Sequence, residues 1–120
     1  MRGITTTDQP TKRLGLALSG GAFRGVAHVG ALKLLDQKDI SVDLIAGTSV
    51  GALVGVMYSF GTPLSGILEE AERLTIISKS ITTFIRKGRD PNQIIGEIID
   101  RRIGNAQLEE APIPITIVAT

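Results

Sequence analysis

A serine flanked by glycines joins two apolar segments of this chain, and it constrains the fold more than any other feature. The segment Gly-Thr-Ser-Val-Gly, residues 47–51, fits the pattern Gly-x-Ser-x-Gly. In that pattern the serine sits on a strained turn between a strand and a helix, and the turn leaves no room for side chains on its flanks. Glycines at Gly47 and Gly51 meet this requirement. The segment therefore predicts a strand, a sharp turn at Ser49 and a helix.

The turn has two interpretations. In the first, strain directs the hydroxyl of Ser49 outward as a nucleophile, beside the amide donors and positive dipole of a helix N-terminus. The predicted elbow then comprises Ser49 with its neighbours Gly47, Thr48, Val50 and Gly51. In the second, Ser49 merely caps the helix with its side-chain oxygen. The strand pattern before the turn and the helix pattern after it favour the nucleophile.

A second strand-to-helix turn, Ser-Gly-Gly-Ala-Phe-Arg-Gly, occupies residues 19–25. It is not a Walker loop, because no Gly-Lys-Ser/Thr follows, and Ala22 replaces a glycine that the dinucleotide fingerprint requires. Loops of this kind aim backbone amides at an anion. Next to a nucleophilic serine they would form an oxyanion hole, here from Gly20, Gly21 and Ala22.

Three further residues belong to this region. Arg24 has three interpretations: it stiffens the loop, it binds an anionic headgroup, or it is only a solvated cation at the start of a helix. We expect that Arg24 and Gly25 together support the loop and a bound anion. His28, the single histidine, falls near Leu32 and Leu35 on a helical wheel. That position suits a hydrogen-bonded core histidine.

Strand and helix patterns alternate along the chain, which predicts an α/β protein with a mainly parallel sheet in a three-layer α/β/α arrangement. In the helix that Ser65 is expected to cap, Glu69, Glu70, Glu72 and Arg73 are expected to face water. Asp90 caps a later helix that Gly104 ends. The predicted strands are 14–18, 42–46 and 114–119; the predicted helices are 25–37, 52–59, one from 65, a short one within 75–89, and one from 91.

Composition excludes several classes of function. The 120 residues include no cysteine and one histidine, which makes a metal site improbable, and we expect no metal and no cofactor. A net charge of +1 and few aromatic residues argue against a nucleic-acid partner. Residues 1–13 are polar and lack the apolar core of a signal peptide, so we expect a flexible N-terminal tail and a cytoplasmic protein, with peripheral contact with a membrane as an option.

A membrane-spanning segment is an alternative for residues 44–68, which carry no charged side chain. Gly47, Gly51 and Gly55 even repeat a small-residue spacing found in such helices. Further glycines, Pro63 and several hydroxyl side chains interrupt the run. A helix buried in an α/β protein is also apolar all round, and we favour that interpretation.

Three stretches together resemble the patatin-like phospholipases, in particular their bacterial members: LGLALSGGAFRGVAHVGALKLL, VDLIAGTSVGALVGVMYSFG and APIPITIVAT. The resemblance implies a three-layer α/β/α protein that hydrolyses acyl esters, often of lipids, with a Ser-Asp dyad and no catalytic histidine. By position, Ser49 matches the nucleophile, Gly20, Gly21 and Ala22 match the oxyanion loop, and Arg24 matches the basic residue that follows. Ala22 departs from the family's glycine and fits only if its φ is negative.

The aspartate of that family lies in an Asp-Gly-Gly or Asp-Gly-Ala tripeptide, and this sequence contains neither. Asp36, Asp39, Asp43, Asp90 and Asp100 occupy helix ends or caps, so none is a convincing base. We therefore expect residues 14–120 to form the N-terminal portion of a patatin-like hydrolase domain whose base lies elsewhere. The alternative is a non-catalytic lipid-binding or interaction module with the same fold.

We predict that the isolated 120-residue chain self-associates or is poorly soluble, because three parallel strands leave sheet edges unpaired. It should hydrolyse short-chain p-nitrophenyl esters no faster than its Ser49→Ala variant. Light scattering and esterase assays check both points. A monomer with Ser49-dependent turnover would show that a base is already present in the chain.

Overall fold

A computed structural model describes residues 12–21 and 24–119 of the chain. Residues 1–11 of the predicted tail, and Ala22 of the predicted oxyanion loop, lie outside the described residues. Within the described residues, three strands and five helices follow one another as β1 (Gly15–Leu18), α1 (Arg24–Gln37), β2 (Leu44–Thr48), α2 (Val50–Ser59), α3 (Leu64–Lys79), α4 (Ile81–Arg86), α5 (Pro91–Arg102) and β3 (Ile115–Val118), with a 3₁₀ turn at Leu108–Glu110.

The strands form one parallel sheet in the order β1-β2-β3, as the alternation of elements predicted. Leu18 pairs with Gly47, and Gly47 pairs with Ile117, so the C-terminal ends of all three strands meet at one edge. The turns that follow β1 and β2 therefore lie side by side. This register brings the two sequence motifs together.

The helices cover one face of the sheet. Strands added in one direction through right-handed crossovers place their connecting helices on the same side. Burial agrees with this: Ile45 and Gly47 are buried, whereas their neighbours Leu44 and Thr48 point to the other face and are exposed. Helix α2 packs directly on all three strands, and α1 packs against α2 and α3. An α/β fold with a parallel sheet is thus confirmed, and the described residues form two of the three expected layers, the sheet and the helices on one of its faces.

Element bounds differ from the sequence-based expectations in a few places. Strand β2 begins at Leu44, not at residue 42. Helix α3 begins at Leu64, so Pro63 and not Ser65 occupies the N-cap position, and no side chain caps the helix there. The expected cap at Asp90 is confirmed, since its carboxylate accepts a hydrogen bond of 2.9 Å from the N–H of Asn92. Gly104 ends α5 with a φ of 71°.

The alternative of a spanning helix over residues 44–68 is wrong, because this stretch folds into β2, a turn, the ten-residue helix α2 and the start of α3. Within residues 12–21 and 24–119, no helix combines the length and apolarity that crossing a bilayer requires. The absence of charge instead reflects the nearly complete burial of α2.

A buried carboxylate links α3 to α5, contrary to the expectation that Glu70 faces water. Glu70 is 0% exposed. Its Oε1 atom accepts two hydrogen bonds from the guanidinium of Arg101, at 3.0 and 3.1 Å, and its Oε2 atom accepts one more from Arg101 at 3.0 Å. Arg102 donates a further bond of 3.0 Å. The sequence spacing could have predicted this burial, because Glu70 lies three residues after Ile67 and four before Leu74, on the apolar stripe of the helix.

A second polar contact joins the C-terminal ends of α1 and α2. The hydroxyl of Tyr58 donates a 2.6 Å hydrogen bond to the carboxylate of Asp36. Burial, the hydrogen bond to Asp36 and the charge of Asp36, in that order, raise the pKa of Tyr58 from 10.0 to about 12. The tyrosine therefore remains a neutral donor at physiological pH, and this contribution to stability is lost only as pH rises from 10 through 12.

We predict that Glu70→Ala lowers the free energy of unfolding of the natural protein by about 3 kcal/mol, because it removes the acceptor that Arg101 and Arg102 share. Glu69→Ala is the matched control, since Glu69 is 62% exposed and its loss should cost no more than about 1 kcal/mol. Urea denaturation followed by circular dichroism measures both. Equal losses in the two variants would contradict a structural role for the buried carboxylate.

Candidate active site

Two glycines allow the first turn of α2 to pack against the end of β1. A Cβ atom on Gly51 would lie 2.1 Å from the carbonyl oxygen of Leu18, and one on Gly47 would lie 2.7 Å from the carbonyl oxygen of Gly51. Contacts below 3.0 Å are not tolerated by real Cβ atoms, and backbone atoms cannot move aside cheaply. The glycines of the Gly-x-Ser-x-Gly pattern are therefore required by contact distances.

Ser49 occupies the sharp turn between β2 and α2 in a strained conformation. Its φ of 53° and ψ of −128° lie in a region that residues with a side chain rarely adopt, at a cost of about 1–3 kcal/mol. The side chain of Ser49 makes no capping hydrogen bond to α2. The capping interpretation is therefore wrong. The hydroxyl is exposed at the point where α2 presents its first, unpaired N–H groups.

The second turn lies directly beside Ser49. A Cβ atom on Gly20 would be 3.0 Å from the Cβ of Ser49 and 3.7 Å from its hydroxyl oxygen. Gly21 has a φ of 109°, a conformation that glycine adopts without strain. The predicted oxyanion residue Gly20 is thus brought next to the predicted nucleophile, and Gly21 follows it in the same loop. Ala22 lies outside the described residues, so its negative φ stays a prediction.

Arg24 and Gly25 anchor this loop on the start of α1. The N–H of Arg24 donates a 2.9 Å hydrogen bond to the carbonyl of Gly21, and its guanidinium donates one of 3.3 Å to the hydroxyl of Ser19. A Cβ atom on Gly25 would lie 3.0 Å from the side chain of Val50, so this glycine lets α1 approach α2 closely. These contacts fit the predicted loop support. Anion binding by Arg24 stays a prediction.

His28 lies on α1 and is partly buried, and it contacts the end of β1. Its Nε2 atom is 2.8 Å from the carbonyl oxygen of Ser19. A carbonyl oxygen can only accept, so this bond requires a proton on Nε2. Carbonyl and N–H point in opposite directions in a trans peptide, and the contact therefore turns the N–H of Gly20 away from His28. The expected hydrogen bond is confirmed, whereas the expected core position is wrong, because His28 is only partly buried and does not belong to the hydrophobic core.

An apolar cavity of about 320 Å³ opens at Ser49. Helices α2, α3 and α5 and strand β3 supply its walls. Apart from Ser49 and Ser78, every described residue that lines it is aliphatic. Ser78 donates its hydroxyl proton to the carbonyl of Leu74 at 2.9 Å, so Ser49 supplies the unengaged hydroxyl. The sequence did not predict the contributions of α3 and α5, because the packing of distant helices carries no local signal.

Asp36, Asp43 and Asp90 each have a structural partner. Asp43 accepts a 2.7 Å hydrogen bond from the N–H of Leu14, at the N-terminal ends of the strands. Six residues of parallel strand, roughly 20 Å, separate Asp43 from Ser49. Asp36 is engaged by Tyr58, and Asp90 caps α5. Residues 12–21 and 24–119 contain no group of three His, Cys, Asp or Glu side chains that could hold a metal ion.

Comparison with known proteins gives a family match. The model of the family described as patatin-like phospholipase matches residues 16–119. A lysophospholipase NTE1 of Pyricularia oryzae is 31% identical over 113 residues, which cover 82% of this chain and 7% of that protein.

Shorter matches have higher identity. A lysophospholipase nte1 of Aspergillus fumigatus is 48% identical over 48 residues, which cover 40% of this chain and 3% of that protein. The patatin-like phospholipase domain-containing protein ZK370.4 of Caenorhabditis elegans is 50% identical over 46 residues, or 38% of this chain and 3% of that protein. The chain thus spans a small fraction of the length of these relatives.

We predict that Gly51→Ala destabilises the natural protein by about 3 kcal/mol, because the new methyl group meets the backbone of Leu18. Gly96→Ala is the control: a Cβ atom there meets nothing within 4 Å, and replacing a glycine inside a helix should stabilise by up to about 1 kcal/mol. Urea denaturation of both variants tests this. A stable Gly51→Ala variant would show that α2 can move away from β1.

Proposed function

The chain belongs to the patatin-like phospholipase family, and from this membership we propose that it hydrolyses the acyl esters of lipids with Ser49 as nucleophile. The observation that carries the proposal is the strained, uncapped Ser49 at the mouth of an apolar cavity. Strain at a non-glycine residue persists where the surrounding structure enforces it, and it is concentrated at functional sites. The relatives named lysophospholipase are consistent with a lipid substrate.

The reaction proceeds through an acyl-enzyme. The hydroxyl oxygen of Ser49 bonds to the ester carbonyl carbon as its proton passes to a carboxylate, and the carbonyl electrons move onto oxygen. Collapse of this tetrahedral species breaks the ester bond, and the leaving alcohol takes up the proton. Water then attacks the acyl-enzyme by the same steps and releases the fatty acid and Ser49.

Backbone amides stabilise the negative charge that forms on the carbonyl oxygen. We assign this task to the loop of Gly20, Gly21 and Ala22, together with the N–H of Val50 at the start of α2. One such donor contributes about 3 kcal/mol to the transition state. Loop position is therefore critical, and the hydrogen bonds from Arg24 and His28 to Ser19 support it. Thr48 and the elbow glycines Gly47 and Gly51 hold Ser49 in place.

The cavity suits one acyl chain. Its aliphatic walls offer no hydrogen-bond partner to a headgroup, whereas burying a methylene group there is favourable by about 0.8 kcal/mol. The acyl chain would lie between α3 and α5, with the ester at Ser49 and the polar headgroup outside. This orientation places the carbonyl carbon next to the hydroxyl.

The base is the aspartate of a Ser-Asp dyad, as the family resemblance implies. The structural engagement of Asp36, Asp43 and Asp90 argues against these three. We therefore propose that another segment of the natural protein supplies the carboxylate. A cytoplasmic enzyme that works at a membrane surface is consistent with this reaction, and no cofactor is required by it.

We predict that the natural protein reacts with a serine-directed fluorophosphonate, and that Ser49→Ala abolishes the labelling, because Ser49 carries the one unengaged hydroxyl among the described residues that line the cavity. Ser78→Ala is the matched control, since Ser78 lines the same cavity and should be dispensable. Mass spectrometry of the labelled protein identifies the modified residue. Labelling that survives Ser49→Ala would refute the assignment. Lipid binding without labelling would indicate the non-catalytic module.

A further inference from the structure

One segment of the chain carries positive charge without any negative charge. Residues 73–89 include five lysine and arginine residues and no aspartate or glutamate, although the whole chain is nearly balanced, with 13 basic and 12 acidic residues. Arg73 is paired with Glu69 and Glu70. Lys79, Arg86 and Lys87 are exposed, and no described acidic side chain lies within ion-pair distance of them.

The same segment exposes two large aliphatic side chains. Ile76 on α3 is 67% exposed and Ile85 on α4 is 61% exposed, the two highest values for large hydrophobic residues in the described part of the chain. Covering these two side chains with an apolar partner would be favourable in proportion to the apolar area removed from water. We call Ile76, Lys79, Ile85, Arg86 and Lys87 the isoleucine-basic surface.

The isoleucine-basic surface lies on and beside the helices that line the cavity. Helix α4 packs against both α3 and α5, and these two helices form the outer wall of the cavity at Ser49. Ile77 and Ser78, which line the cavity, lie between Ile76 and Lys79 in the sequence. A partner bound to the isoleucine-basic surface would therefore lie next to the two helices that wall the cavity.

We propose that the isoleucine-basic surface docks the protein on an anionic lipid bilayer and presents the cavity to it. The inference rests on the proposed lipid-hydrolase function. Isoleucine side chains insert at the boundary between headgroups and acyl chains, while lysine and arginine attract anionic headgroups. A nucleic acid would satisfy the cations but leave the isoleucines in water, so the bilayer is the better match.

The test uses the natural protein carrying Ser49→Ala, which binds lipid without hydrolysing it. Flotation with phosphatidylcholine vesicles, with and without phosphatidylglycerol, measures partitioning. The triple variant Lys79→Gln, Arg86→Gln and Lys87→Gln should bind the anionic vesicles about 100-fold more weakly, since each cation contributes about fivefold. The double variant Ile76→Ser and Ile85→Ser should lose at least about tenfold.

The matched control removes three exposed lysines elsewhere, with Lys12→Gln, Lys33→Gln and Lys38→Gln. This control should retain the binding of the parent, and higher salt should weaken the binding of both. The proposal would be overturned if the parent bound equally to vesicles with and without phosphatidylglycerol. It would also be overturned if the triple variant bound anionic vesicles as well as the parent, or if the control and the triple variant lost the same amount of vesicle binding.

A separate readout distinguishes failure of this inference from failure of the proposed function. With Ser49 intact, the triple and double variants should react with a water-soluble fluorophosphonate at the rate of the natural protein, because none of their residues lines the cavity. Weaker vesicle binding combined with absent labelling would reject the enzyme and retain the surface. Slower labelling of these variants would instead show that the substitutions disturb the site, and would overturn a role limited to docking.

Discussion

The close approach of α2 to the end of β1 is the contact on which the rest of this structure depends. No side chain fits between Gly51 and the carbonyl of Leu18, so the first turn of α2 lies directly on the strand end. That contact fixes the turn containing Ser49 and forces its backbone to a φ of 53°. It also brings the loop after β1 beside the hydroxyl. One steric constraint thus produces both the strain and the juxtaposition that the proposed chemistry requires.

A second constraint acts at a distance from Ser49. The buried Glu70 accepts hydrogen bonds from Arg101 and Arg102 and thereby holds α5 against α3. These two helices form the outer wall of the apolar cavity, and the exposed isoleucines and cations lie on α3 and on the segment that connects it to α5. A buried ion pair is weak evidence for stability in general, but removing one partner is costly. We therefore interpret Glu70 as a residue that maintains the shape of the cavity.

The contrast between Ser49 and Asp90 shows why a helix-start residue cannot be interpreted from its type alone. Both precede a helix, and both have side chains that are common N-caps. Asp90 has an extended backbone and bonds the N–H of Asn92, whereas Ser49 has a positive φ and makes no such bond. Backbone conformation decides between the two, because it determines whether the side chain points back to the helix or away from it.

The sequence by itself determined the parallel α/β fold, because alternating apolar runs specify strands and helices locally. Glycine spacing likewise specified the strand-turn-helix at Gly47–Gly51 and the loop of Gly20 and Gly21. Asp90-Pro91 specified the start of α5. The expectation that Glu70 faces water was wrong, because the burial of its side chain depends on which helix packs against α3 rather than on the residue type. The cavity, the hydrogen bond from His28 to Ser19 and the isolation of Asp43 from Ser49 were likewise decided only by tertiary structure. Each joins residues that are distant in the chain, and only sheet register and helix packing set their separations.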